Sequence, residues 1–258
     1  MLSFDFTAEQ IFDLMAIGWI VIGFTVLPIT LWVTAPFGRH VASGFGPQVA
    51  NRLGWLVMES PAIWLMAAVF LTRVQPGQSA AWLLWVLWML HYIHRGAVYP
   101  FRIRTRGKRM PVLIVLSAFC FQMINGFLNG LSLTGLGQNY HAGWFLQPVF
   151  AVGLGLFIVG AAINITADNA LLRLRDSGGT RYQIPRGGLF ERISCPNFLG
   201  EIIQWLGWAV MCWNLAALSF AVWTIANLVP RALAHHRWYG ENFTGYPSDR
   251  QAVFPGWL

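Results

Sequence analysis

Gly160-Ala161-Ala162-Ile163-Asn164-Ile165-Thr166-Ala167-Asp168 is the stretch on which the fold turns. It closes an apolar run that begins near residue 144, yet it carries an amide and a carboxylate four residues apart. On an α-helix that interval puts both side chains on one face. Asn197 and Glu201 repeat the interval, and Arg231, His235 and Tyr239 continue it in a third apolar segment. Hydrocarbon penalises an ionisable side chain by roughly 2.5–3.5 kcal/mol or more at mid-bilayer. Three such faces should therefore meet one another rather than lipid. The expected result is a polar pocket inside a helical membrane bundle.

The rest of the chain fits a bilayer. Of 258 residues, 56% are apolar and 10% charged, against roughly 25% charged in an ordinary soluble domain. Mean hydropathy is +0.53. The 14 Trp and 19 Phe agree, since aromatic rings favour membrane interfaces. Apolar runs of spanning length lie near 11–34, 53–72, 80–100, 111–133, 144–166, 199–213 and 215–234. The last two form one stretch that has only Trp213 and Asn214 at which to turn back.

Basic residues set the orientation. Sixteen of the 17 Lys and Arg fall beside or between the runs on one side, and Arg73 alone on the other. The expected fold is thus an all-α, seven-transmembrane-helix bundle, N-terminus outside and C-terminus cytoplasmic. One membrane domain covers residues 1–258, with about 144–258 supplying most of the polar site. Such a protein belongs in a bacterial inner membrane or the endoplasmic reticulum, and a monomer is expected. The acidic start (Asp5, Glu9, Asp13) lacks a basic n-region, so the first run reads as a retained helix.

Several functions are disfavoured. The pI near 9.9 invites a nucleic-acid reading, but the positive-inside bias accounts for the excess, and no nucleic-acid partner is expected. Cys120, Cys195 and Cys212 have no metal-like spacing. Six His, including His91, His94, His235 and His236, are too few for a desaturase-type iron site, so no metal is expected. No Rossmann, P-loop or nucleophile-elbow signature occurs.

A single Asn in a membrane helix usually only bonds a neighbouring helix, for under about 2 kcal/mol. Three in-register sets favour a ligand site instead. Carboxylates at Asp168 and Glu201, amides at Asn164 and Asn197, and the Arg231 fork suit a large ligand with ribose hydroxyls, amides and phosphates. The loop from Asp176 to Asn197, rich in Gly and Pro, offers Arg181, Tyr182 and Arg186 to the same ligand. The basic run Arg102 to Arg109 reads mostly as a topology anchor, and would also attract lipid headgroups or a phosphorylated ligand.

A second constellation lies nearer the membrane core. Glu59 is seven residues past Arg52, about 10 Å deeper along a helix, where a neutral carboxyl is favoured unless a partner is supplied. Tyr92, in His91-Tyr92-Ile93-His94-Arg95, ends the third run. A phenol beside a neutral acid can polarise a substrate carbonyl, as in the oxyanion hole of ketosteroid isomerase.

At these residues the chain resembles the steroid 5α-reductases. The resemblance runs from about Trp55 to Leu258 and is carried by Met58-Glu59-Ser60-Pro61, His91 to Arg95, Gly160 to Asp168, Tyr182 to Phe190, Asn197 to Ile203 and Arg231 to Tyr239. It implies NADPH-dependent reduction of the Δ4 double bond of a 3-oxo steroid, the substrate arriving among membrane lipids. It also implies that Glu59 and Tyr92 hold the substrate carbonyl. Asn164, Asp168, Arg175, Tyr182, Asn197, Glu201, Arg231, His235 and Tyr239 then match the cofactor-binding positions. Two neighbours depart from the family form: Met58 stands where Gln is usual and Gln183 where Arg is usual. A different reading also has support, because Cys195 to Glu201 bears some likeness to the isoprenylcysteine carboxyl methyltransferases, which use S-adenosylmethionine. A reductase of another lipid enone is the related alternative. A transporter is disfavoured, because the polar face sits at one side of the membrane.

Overall fold

The computed structural model describes residues 6–36, 38–40, 44–103, 107–136, 138–177 and 182–257, side chains at 175–177 set aside. It is almost wholly helical: α1 Ala8–Trp32, α2 Asn51–Glu59, α3 Pro61–Arg73, α4 Ser79–Tyr92, α5 Tyr99–Arg102, α6 Val112–Leu133, α7 Pro148–Ser177, α8 Pro196–Cys212 and α9 Leu215–Asn242. A π-helical turn, Ile93–Val98, joins α4 to α5. Strands β1 (Gln48–Ala50) and β2 (Arg109–Pro111) form a short antiparallel pair.

Among the described residues, five helices are long and apolar enough to cross a membrane: Ala8–Trp32, Asn51–Arg73, Val112–Leu133, Pro148–Leu174 and Leu215–Asn242. Regular α4 has only 14 residues and α8 only 17, so the runs near 80–100 and 199–213 yield shorter helices than the other five. The multi-pass helical class expected from composition is present, with five long spans where the apolar runs number seven.

Local chemistry explains the breaks. Pro61 has no N–H to offer the carbonyl of Val57, and the Ser60 N–H (3.3 Å) and hydroxyl (2.9 Å) donate to it instead. The apparent second span therefore divides into α2 and α3 directly after Glu59. The turn expected at Trp213 and Asn214 is where α8 ends. Trp213 takes a left-handed φ of 51°, and Asn214 Oδ1 accepts from the Ala217 N–H at 2.9 Å to cap α9. The Asn214 amide also donates to Tyr140 Oη (2.6 Å), whose hydroxyl donates to the Cys212 carbonyl (2.7 Å).

The closest helix pairing is α7 against α8. Gly153 and Gly160 on one, and Gly200 and Gly207 on the other, recur seven residues apart. A methyl group on any of the four would overlap main chain of the facing helix. Lipid supplies no hydrophobic drive for helix association, so small residues that admit close packing hold such pairs together. The consequence is positional: Asn164 and Asp168 come alongside Asn197 and Glu201.

A buried aromatic cluster fills the bundle beside this pair. Trp88 contacts Trp205 (5.4 Å, edge-on), Trp208 (5.3 Å) and Phe220 (5.5 Å). Each such pair adds roughly 0.5–1.5 kcal/mol. The Trp88 indole donates to the Ala62 carbonyl at 2.8 Å, tying α4 to the start of α3. At the other end, the C-terminal segment clamps the entry to α8. Ser194 N–H donates to Gln251 O (2.8 Å), Cys195 N–H to Ala252 O (3.0 Å), and Ser194 Oγ bonds His236 Nδ1 (2.7 Å) and Tyr246 Oη (2.6 Å).

Candidate active site

One cavity of about 800 Å³ runs through the bundle, near the upper end of the roughly 300–1,000 Å³ usual for ligand sites. One arm is polar and is built on α7, α8, α9 and the loops around Arg39 and Tyr182. The other is apolar and lined by Trp19, Val26, Ala118, Phe121, Phe220 and Trp223. Glu59, His91, Tyr92 and Gln122 stand where the two meet.

In the polar arm, Asn197 Nδ2 donates to Asp168 Oδ1 at 3.1 Å. Arg95 enters between two carboxylates, Nη1 lying 3.6 Å from Asp168 Oδ2 and Nη2 3.7 Å from Glu201 Oε2. The π-turn makes this possible. Inserting one residue per turn rotates the helix face, so Arg95 points inward and lies over the rings of Trp55 (4.9 Å) and Tyr99 (5.3 Å).

The far end of that arm is cationic and aromatic. The Arg39 guanidinium sits over Tyr239 (4.5 Å), Trp238 (4.8 Å) and Tyr182 (5.2 Å) and donates to Tyr239 Oη at 3.3 Å. His40 Nε2 pairs with His235 Nδ1 at 2.8 Å. Burial, with the charges of Arg231, Arg39 and Arg237, holds His40 down at about 4. It is therefore neutral at pH 7, and the positive field belongs to the arginines. Burial pushes the Cys195 thiol up to about 12, which removes it as a nucleophile.

At the junction, Gln122 links the acid to the phenol. Its Nε2 donates to Glu59 Oε2 at 2.8 Å, and its Oε1 accepts from the Tyr92 hydroxyl at 3.3 Å. Glu59 is 9% and Tyr92 2% exposed, and both line the cavity. Gly96 of the π-turn packs on Glu59, leaving only 3.1 Å between the Glu59 Cβ and any methyl placed there.

Of the residues singled out from sequence, Glu59, Tyr92, Asp168, Tyr182, Asn197, Glu201, Arg231, His235 and Tyr239 all line this one cavity. Asn164 is buried behind the wall and donates to the Asn197 carbonyl at 2.9 Å, so it holds a lining residue in place. The Arg175 side chain and Arg181 lie outside the described residues. Arg39, Arg95 and Gln122 line the cavity and His40 bonds the lining His235; the sequence reading singles out none of the four. Gln122, Asn125 and Asn129 follow one helical face in an apolar run, the same signal that flags Asn164 and Asp168. No group of three or more potential metal ligands occurs among the described residues.

The family model described as 3-oxo-5-alpha-steroid 4-dehydrogenase matches residues 108–258. Steroid 5-alpha-reductase DET2 of Solanum lycopersicum is 39% identical over 251 residues, covering 96% of this chain and 97% of that protein. The DET2 protein of Arabidopsis thaliana is 40% identical, covering 87% of this chain and 88% of its own length. Human 3-oxo-5-alpha-steroid 4-dehydrogenase 1 is 34% identical, covering 96% of this chain and 95% of its own length. The chain belongs to the 3-oxo-5-alpha-steroid 4-dehydrogenase family and is an oxidoreductase.

Proposed function

We propose that this protein reduces the Δ4 double bond of a 3-oxo steroid with NADPH, giving the 5α product. The bundle it works in has seven spans, with α4 through α5 and α8 crossing as the two shorter ones. The N-terminus lies outside, the C-terminus and the polar arm face the cytoplasm, and one domain acts as a monomer. The observation that carries the reading is the junction of the cavity. A phenol and a carboxyl, bridged by one amide, stand between an arm suited to an apolar polycycle and an arm suited to a dinucleotide.

The polar arm fits the cofactor. Arg39 Nη1 is buried with no hydrogen-bond partner among the described residues, which a phosphate oxygen would satisfy. Arg39, Arg231, His235, Tyr239 and Tyr182 would hold phosphate and adenosine groups, with Arg175 as a further candidate. Asp168, Asn197 and Glu201, steadied by Asn164 and Arg95, would hold ribose hydroxyls and the carboxamide. When bound, the reduced nicotinamide supplies the hydride that ends at steroid C5.

The protein's own residues act on the other end of the enone. Tyr92 and Glu59 donate hydrogen bonds to the C3 oxygen and draw electron density from C5. They stabilise the enolate that forms there, and fixed donors in a dry site do so without reorganising. Proton delivery to C4, from water or another group, completes the reduction. The test is direct: incubate purified protein with progesterone or testosterone and NADPH or NADH, and determine the product's configuration at C5. A 5α-dihydro steroid formed with NADPH is the expected result. Absence of any reduced steroid with either cofactor would overturn the reading.

A further inference from the structure

Gln122 belongs to a hydrogen-bond chain whose direction is fixed from one end. The Trp208 indole, which can only donate, donates to Asn129 Oδ1 at 2.9 Å. Asn129 must then offer its Nδ2, which donates to Asn125 Oδ1 at 3.0 Å. Asn125 in turn offers Nδ2 to Gln122 Oε1 at 3.1 Å. Gln122 is left with its NH2 facing Glu59, and donates to Oε2 at 2.8 Å. Every amide in the series is therefore oriented by the indole, with no freedom to flip. Asn125 and Asn129 are 1% and 0% exposed, so no water competes for these groups.

This polarity has a chemical consequence at Glu59. In a neutral carboxyl the carbonyl oxygen is the stronger acceptor, so accepting the Gln122 N–H at Oε2 favours the proton on the other oxygen. The proton of the neutral carboxyl is thus assigned to Oε1, the oxygen left for substrate. At Tyr92 the same amide accepts the phenol hydrogen in the resting state. Asn125 Nδ2 also lies 3.4 Å from Tyr92 Oη, so the phenol keeps a donor when its hydrogen swings to an arriving carbonyl.

We propose that Gln122 is the positioning residue of the reaction: oriented by Trp208 through Asn129 and Asn125, it dictates which oxygen of Glu59 donates and holds the Tyr92 hydroxyl ready. The proposal rests on the carbonyl-polarising reading above. The test is a double-mutant cycle on the full-length protein. Gln122→Met keeps the side chain's length and removes its hydrogen bonds to Glu59, Tyr92 and Asn125. Its kcat should fall about tenfold or more, the equivalent of one orienting hydrogen bond, with KM and NADPH affinity within about threefold. Added to Glu59→Gln it should cost less than it does alone, because only its hold on Tyr92 is then left to lose. Infrared difference spectra supply an independent readout. The neutral-carboxyl stretch lost in Glu59→Gln should move to higher frequency in Gln122→Met, because its acceptor oxygen has lost a donor. Should Gln122→Met fail to fold, Trp208→Phe keeps the aromatic packing and should lower kcat in the same direction by a smaller factor.

A Gln122→Met enzyme within twofold of wild type, losses that multiply with Glu59→Gln, or an unmoved carboxyl stretch would each overturn the proposal. If Glu59→Gln itself turns over normally or removes no carboxyl band, the carbonyl-donor reading fails instead.

Discussion

Gly160 on α7 and Gly200 on α8 approach so closely that neither has room for a methyl group against the other helix's main chain. Everything in the polar arm depends on that approach, because Asn164 then reaches the Asn197 carbonyl and Asn197 reaches Asp168. In an unconstrained helix, Gly→Ala gains about 1 kcal/mol. Here the overlap is with backbone, which cannot rotate away, and overpacking costs roughly 1–3 kcal/mol or more. The clash should win. Gly160→Ala and Gly200→Ala should each lower the Tm in detergent and weaken NADPH binding. Gly155→Ala, on the same helix with open space around it, should leave both unchanged or raise the Tm slightly. Equal behaviour of Gly155→Ala and Gly160→Ala would refute the close-packing argument.

Tyr92→Phe and Glu59→Gln probe the chemistry. Each leaves the cavity shape intact and alters one donor. Removing one oxyanion-stabilising donor typically costs about 10²–10³ in kcat, and losses of that order are expected here. Cofactor affinity, measured by fluorescence titration, should stay near wild type, because neither residue belongs to the polar arm. A change in affinity without a change in kcat would place these residues in the wrong role.

Helical periodicity makes much of the site legible in the sequence. Asn164, Asp168, Asn197 and Glu201 are polar groups at intervals of four in apolar segments, and that pattern has one geometric meaning. Trp213 and Asn214 are legible for a different reason: an overlong apolar run has to turn somewhere, and only they break it. Arg95 reads as a topology charge, because an arginine at the end of an apolar run normally faces the headgroups. The π-turn after Tyr92 turns it inward, and nothing in Ile93–Val98 announces that extra residue. Arg39 and His40 sit in a single 3-10 turn, Gly38–His40, too short to show a period. Gln122, Asn125 and Asn129 do carry a helical period, but neutral amides cost less to bury than charges and so demand a partner less loudly.

His40 gives a pH-dependent expectation. Folding holds it at about 4, mainly by burial and then by Arg231, Arg39 and Arg237, while an unfolded His titrates near 6.5. Both states are neutral above that value, so stability there does not depend on His40. As the pH falls below 6.5 the unfolded chain takes up a proton that the folded protein refuses, and stability declines until about pH 4. His40→Gln should flatten this part of a Tm-against-pH curve measured from pH 4 to 7. His235, its partner at 2.8 Å, stays in place in that variant. An unchanged slope would show that His40 is not held neutral by the fold.

Arg95 is the residue whose removal should cost most in stability. It is 18% exposed and bridges Asp168 and Glu201 through different nitrogens. Arg95→Met would remove the guanidinium that two enclosed carboxylates share. Breaking a buried ion pair by deleting one partner costs roughly 3–5 kcal/mol. The separations of 3.6 and 3.7 Å point to the lower end of that range. At about 2–4 °C per kcal/mol for a chain of this size, the Tm should drop by about 6–12 °C. Arg95→Lys should recover little, because a point-charge ammonium cannot fork between two acceptors on different helices. Arg95→Met combined with Asp168→Asn should recover more, since it removes one of the two carboxylate charges that Arg95 bridges. If the double variant were no more stable than Arg95→Met, repulsion between Asp168 and Glu201 would not be what Arg95 relieves, and its ring contacts with Trp55 and Tyr99 would have to carry the effect.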